Sequence, residues 1–100
     1  MAVAASSLAT AQSSAGVSSL ATASISPGAN RLLLGWAVTR TAANDPNHAT
    51  ATGNGLTWVE VASVNFDNAG SQKRLTLLRA LGASPSAGAV TFDFAGQTQS

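Results

Sequence analysis

Three apolar runs lie within residues 53–94, cut apart by two short segments of turn-forming residues. They read Leu56-Thr-Trp-Val-Glu-Val-Ala-Ser-Val-Asn-Phe66, Arg74-Leu-Thr-Leu-Leu-Arg-Ala-Leu81 and Ala89-Val-Thr-Phe-Asp-Phe94. Short runs rich in β-branched and aromatic residues, bounded by Gly, Asn, Ser and Asp, are strand material. Their succession predicts an antiparallel meander. No segment before Ala95 keeps a 3.6-residue period with caps, so the chain is expected to be all-β.

The side-chain alternation adds detail. In the first run Trp58, Ala62, Val64 and Phe66 share a face, and Glu60 falls among them unless a β-bulge near Val59–Val61 shifts the register. In the second, Leu75, Leu77 and Leu81 share a face with Arg79, against Arg74, Thr76, Leu78 and Ala80. In the third, Val90, Phe92 and Phe94 point inward and Thr91 and Asp93 outward. The segment Phe66-Asp-Asn-Ala-Gly-Ser-Gln72 has the composition of a hairpin turn, and residues 82–88, with Pro85, that of a second turn.

Upstream, Arg31-Leu-Leu-Leu-Gly-Trp-Ala-Val-Thr39 is apolar on both parities, as in a central strand covered on both sides. Gly35 within it leaves room for a ring or a backbone to approach. Residues 17–25 alternate like a strand, and Ser26-Pro-Gly-Ala-Asn30 reads as a turn. Residues 41–55 are a long polar interruption, of the kind that is often functional or mobile. Residues 1–16 are almost wholly Ala, Ser, Thr, Val and Leu, which suits an extended arm. Ser6-Ser-Leu-Ala-Thr-Ala11 recurs as Ser18-Ser-Leu-Ala-Thr-Ala23, a weak signal in so narrow an alphabet.

These readings give a small antiparallel β-sandwich, jelly-roll-like, with an N-terminal arm (1–16) and one domain (17–100). Five strands fill the chain, or six if Leu8-Ala-Thr-Ala11 pairs. Sandwiches of this kind commonly use seven or eight. Either the fold is small, or a neighbouring subunit or a longer polypeptide completes the sheets.

The totals bound the function. With no cysteine, disulfides and thiolate metal sites are excluded. Five basic residues nearly balance four acidic ones, so the basic face that nucleic acid requires is missing. A charged fraction of 9%, against about a quarter in an average domain, leaves little colloidal protection and fits either a surface that meets other protein or one coated with Ser, Thr, Asn and Gln. The longest apolar stretch, residues 32–38, is far short of the roughly 20 residues of a membrane span.

Candidate chemistry is sparse. His48 is the single histidine, so no site of two imidazoles can form within one chain. Asp45 and Asn47 beside it could offer loop oxygens to a hard cation, but Asn44-Asp-Pro-Asn-His48 is ordinary turn composition. No Gly-x-Ser-x-Gly elbow positions a nucleophile. Glu60, beside Trp58, is expected to pair with Arg74 or Arg79 across the hairpin. Trp36 and Trp58 are expected in the core, with a sugar-stacking platform as the alternative use of their rings. No cofactor and no catalytic residue is expected. Asp45, Asn47, His48, Trp58 and Glu60 remain as contacts for a ligand or partner.

The stretches Ala29-Asn-Arg-Leu-Leu-Leu34, Gly53-Asn-Gly-Leu-Thr-Trp58, Arg74-Leu-Thr-Leu-Leu-Arg-Ala80 and Gly82-Ala-Ser-Pro-Ser-Ala-Gly88 followed by Val90-Thr-Phe92 resemble a β-sandwich domain of bacteriophage virion structural proteins. The resemblance rests on turns and core residues and carries no catalytic residue. It implies at least one more core strand after Phe94. It also implies a virion protein, most simply a capsid decoration or cement protein. Such a protein would be held by the major capsid protein or by tail proteins and by its own copies, for example as a trimer. The alternative is a carbohydrate-binding β-sandwich module of a tail fibre or secreted protein.

Overall fold

Alternation, not overall hydrophobicity, decides how these runs pack. The computed structural model describes residues 3–42, 44–68 (the side chain of Asn68 excepted) and 71–99. They form six strands: β1 (Ser19–Ala21), β2 (Leu33–Thr41), β3 (Thr50–Thr52), β4 (Val59–Asn68), β5 (Ser71–Ala80) and β6 (Thr91–Asp93). No helix occurs among the described residues. Two three-stranded antiparallel sheets, in the orders β1-β6-β3 and β2-β5-β4, make a small β-sandwich.

The meander expectation holds for the first two apolar runs only. β4 and β5 pair from Val59↔Arg79 to Asn68↔Ser71 as a hairpin whose turn residues, Ala69 and Gly70, lie outside the described residues. The third run does not continue that sheet. It crosses over residues 81–90 and enters the other sheet as β6, between β1 and β3. Gly88 exchanges backbone hydrogen bonds with Ile25 during the crossing, at 2.9 and 3.0 Å. The place beside β5 that a meander would give to β6 is taken by β2, in register from Leu33↔Ala80 to Thr41↔Gln72.

Three further expectations change. The long polar interruption contains a strand, β3, so it contributes the sixth strand. Residues 8–11 contribute none, and residues 3–16 contain no strand at all. In residues 17–25 the alternation breaks phase: Val17, Leu20 and Ile25 are all half-buried, and only Ser19–Ala21 is strand.

The bulge is where alternation required it. The β4–β5 register shifts between Glu60 and Ala62, so Val61 is the extra residue. Glu60 then pairs with Leu78 on one face of the sheet, while Ala62, Val64 and Phe66 pair with Leu77, Leu75 and Lys73 on the other.

The core lies between the sheets and is built from small residues on one side and rings on the other. The inner face of β2 presents Leu33, Gly35, Ala37, Thr39 and Thr41, all buried. β5 adds buried Thr76, Leu78 and Ala80. The facing sheet supplies the row Leu20, Phe92 and Ala51, followed by buried Phe94. Gly35 is the contact point. A Cβ there would sit 3.2 Å from Phe92 Cζ and 3.3 Å from Trp58 Cζ3, so two rings rest on its bare backbone.

Candidate functional site

The two lateral sides of the sandwich differ. On one side β3 lies against β4. There His48, just before β3, meets Glu60 of β4, with Nδ1 3.0 Å from Oε1 and 2.8 Å from Oε2. Both side chains are substantially exposed, so this is a surface clasp of about 0–1 kcal/mol and not a buried acid–base pair. The bulge at Val61 places Glu60 on this side and corrects the expected partners. Arg79 stands on the opposite face of the sheet, and Arg74 is engaged elsewhere. Arg74 Nε donates to the carbonyl of buried Pro46 at 2.6 Å, and Nη1 to Ser63 Oγ at 2.8 Å.

Asp45 and Asn47 serve the fold. The Asn47 backbone N–H donates to Gln97 Oε1 at 2.6 Å, and its side-chain Nδ2 to the Phe94 carbonyl at 3.0 Å. Gln97 Nε2 returns a bond to the Asp45 carbonyl at 3.0 Å. The Asp45 carboxylate is on an exposed residue. The long loop is therefore tied to the C-terminal segment over residues 45–47. Of the five candidates, only His48 and Glu60 are brought together. Among the described residues no cluster of three or more His, Cys, Asp or Glu side chains could hold a metal ion.

The two tryptophans, both expected in the core, separate. Trp58 is half-buried against Gly35, and its Nε1 donates to the Gly53 carbonyl at 3.3 Å. Trp36 faces outward from β2 and is 59% exposed.

Trp36 belongs to the feature that the sequence reading missed. The outer face of the β2-β5-β4 sheet is uncovered. β2 is an edge strand there, not a central one, and its outward residues Leu34, Trp36 and Val38 are all exposed. In register with them stand Leu75 and Leu77 of β5 and Val64 of β4, with Phe66 opposite Lys73. A shallow depression of about 120 Å³ opens beside Trp36, where Ala62 is too small to continue the cross-strand row of Trp36 and Leu77. The charged side chains on this face are Arg40, Lys73 and Arg79, which stand toward its two ends. Arg79 sharing a parity with Leu75 and Leu77 was the signal in the sequence that this face looks outward.

On the second lateral side, a groove of about 360 Å³ separates the sheets. Trp36 and Val38 from the outer face of β2 and Thr39 from its inner face all line it. A groove touched by both faces of one strand must run along that strand's edge. Its other lining includes Val17, Leu20, Phe94 and Gln99. No family model matches the chain, and neither a curated protein nor a solved structure is significantly similar to it.

Proposed function

We propose that this chain is a non-enzymatic structural subunit that works by adhesion. The setting to which its sequence resemblance points is a virion, with the chain as a capsid decoration or cement protein. The observation that carries the reading is the uncovered outer face of the β2-β5-β4 sheet. Soluble monomers rarely expose a contiguous apolar patch beyond a few hundred Å² unless it is an interaction site. Here five large apolar side chains, Leu34, Trp36, Val38, Val64 and Phe66, stand exposed on one face of one sheet. Cations toward its ends make the fitting partner surface apolar at its centre and acidic at its rim.

Val64→Lys tests this, because Val64 is exposed midway along β4, on the outer face and away from the core. The expected result is an unchanged melting temperature together with loss of self-association or of adsorption to particles. A variant that assembles as well as the parent would remove the outer face from the function. Copy number in a purified particle then separates a shell protein from a tail appendage.

One observation favours the second reading, carbohydrate binding. An exposed indole beside a shallow depression is a platform on which a pyranose ring can stack, and Trp36 provides it where Trp58 does not. Glycan-array binding abolished by Trp36→Ala, with the fold intact, would decide for it.

A further inference from the structure

β2 is an edge strand with no strand paired to its second side among the described residues. Its nine residues, LLGWAVTRT, contain no proline and no bulge, and a single charge stands near one end. Natural sheets blunt such edges, because an open row of N–H and C=O groups is a template for another strand. The opposite side of the sandwich is closed by β3 against β4 and clasped by His48 and Glu60. The β2 side carries no such closing strand among the described residues, and the groove along it is lined by half-buried Leu20 and by the edge of buried Phe94.

The groove also holds a polar group that lacks a partner. Gln99 lines it and is only 5% exposed. Its Nε2 donates to the Gln97 carbonyl at 3.3 Å and to Gln97 Oε1 at 2.8 Å. Its Oε1 has no hydrogen-bond partner among the described residues. A buried acceptor left unpaired costs on the order of 1–3 kcal/mol, and an N–H brought into the groove would satisfy it.

We propose that this groove is a strand-acceptor site, and that its occupant is the N-terminal arm of a second copy of this chain. An entering strand would add to β2 by main-chain hydrogen bonds, complete the burial of Leu20, and offer a donor to Gln99. The arm has the required chemistry. Residues 3–16 contain no charge and no proline, and nearly all are small, so they can enter a narrow groove without burying an ion. Eight residues of it, 3–10, span about 26 Å when extended, close to the roughly 30 Å of β2. In the same chain, Ala11, Gln12 and Ser13 already line the groove, but residues 3–8 stand exposed, with Val3 at 97%, and form no strand. The arm thus reaches its own groove with its root and presents its free length outward. Exchange of an identical segment between copies is a low-cost route to symmetric oligomers. The inference deepens the adhesion reading and rests on the part of it that makes the chain a self-associating subunit, not on the outer face.

The test uses the full chain with Ala5→Pro and Leu8→Pro combined. The two positions have opposite parity, so whichever edge of the arm meets β2, one donor is lost. Both residues are exposed in the free chain, so the fold should be unaffected. Sedimentation should show an oligomer for the parent and a monomer for the double variant, with equal melting temperatures once dissociated. Amide exchange in β2 should be at least tenfold faster in the variant, and a synthetic peptide of residues 3–12 should restore protection.

An unchanged oligomer in the double variant would overturn the proposal, as would a monomeric parent, whatever the protection of its β2 amides. Val64→Lys separates the two readings. Assembly that survives the prolines but is lost in Val64→Lys overturns the strand exchange and leaves the adhesion reading standing. Assembly insensitive to Val64→Lys but abolished by the prolines supports the exchange and removes the outer face from function.

Discussion

The β2-β5-β4 sheet has one face built of small residues and one built of large ones, and the large ones are outside. Inward it presents Gly35, Ala37, Thr39, Thr76 and Ala80, with Leu33 and Leu78 as the bulky members. Outward it presents Leu34, Trp36, Val38, Val64 and Phe66. For an isolated domain that wants maximal burial this is the wrong way round, since a fully buried Val, Leu or Phe contributes about 1.5–3 kcal/mol relative to leaving it exposed. The inner face is small because rings from elsewhere fill the space: Phe92 and Trp58 over Gly35, and Phe94 beside Ala37. The outer face keeps its large residues exposed, and these are the ones the adhesion proposal assigns to a partner. The comparison teaches that the fold uses only one half of this sheet's hydrophobic content and leaves the other half exposed.

The sharpest way to break the comparison is to truncate the largest inner residue of β5. Leu78 is 2% exposed at the centre of the sheet. Leu78→Ala should cost about 2–5 kcal/mol, since a cavity remains where neighbours cannot collapse. A urea titration reads this as a lower midpoint at unchanged slope. A loss under about 1 kcal/mol would mean that the small-residue face is not the core.

The next largest effect comes from enlarging the inner face. Gly35→Val would push methyl groups into Phe92 and Trp58, which already stand 3.2–3.3 Å from where a Cβ would be. Overpacking of this kind costs about 1–3 kcal/mol. The same denaturation curve checks it, and Trp58 emission should shift red as its ring is displaced. A neutral substitution would show that the two rings can move, and that the sheets are held apart by something other than this contact.

Much of this was legible in the sequence, for identifiable reasons. The all-β class followed from period-two alternation, and the bulge followed from a single misfit, Glu60 among apolar neighbours. The close approach at Gly35 followed from a glycine inside an apolar strand. What failed were inferences that alternation cannot support. Run order does not say which sheet a strand joins, so β6 was placed beside β5 when a crossover carries it to β1 and β3. Polar composition hid β3, because three residues, Thr50–Thr52, are too few to show a pattern. β2 reads as doubly covered because a strand apolar on both parities looks the same whether its second face meets its own chain or another one. That ambiguity also hides the exposed sheet at Trp36 and leaves the loop around His48 as the more visible candidate.

The smallest expected effect on stability is at Trp36 itself, and it separates the two faces most directly. With 59% of its surface exposed, Trp36→Ala should change the stability of the dissociated chain by less than about 1 kcal/mol. The single-tryptophan variants Trp36→Phe and Trp58→Phe then report each face alone. With only Trp58 present, emission should be blue-shifted and protected from a neutral quencher at any protein concentration. With only Trp36 present, it should be red-shifted and readily quenched in dilute protein, and it should become protected as subunits associate. The concentration dependence is the informative part. If Trp36 is as protected as Trp58 in the monomer, its face is already covered by its own chain and the contrast between the faces collapses. If it stays exposed in the assembly, the outer face is free for a ligand, and the stacking platform gains what the adhesive surface loses.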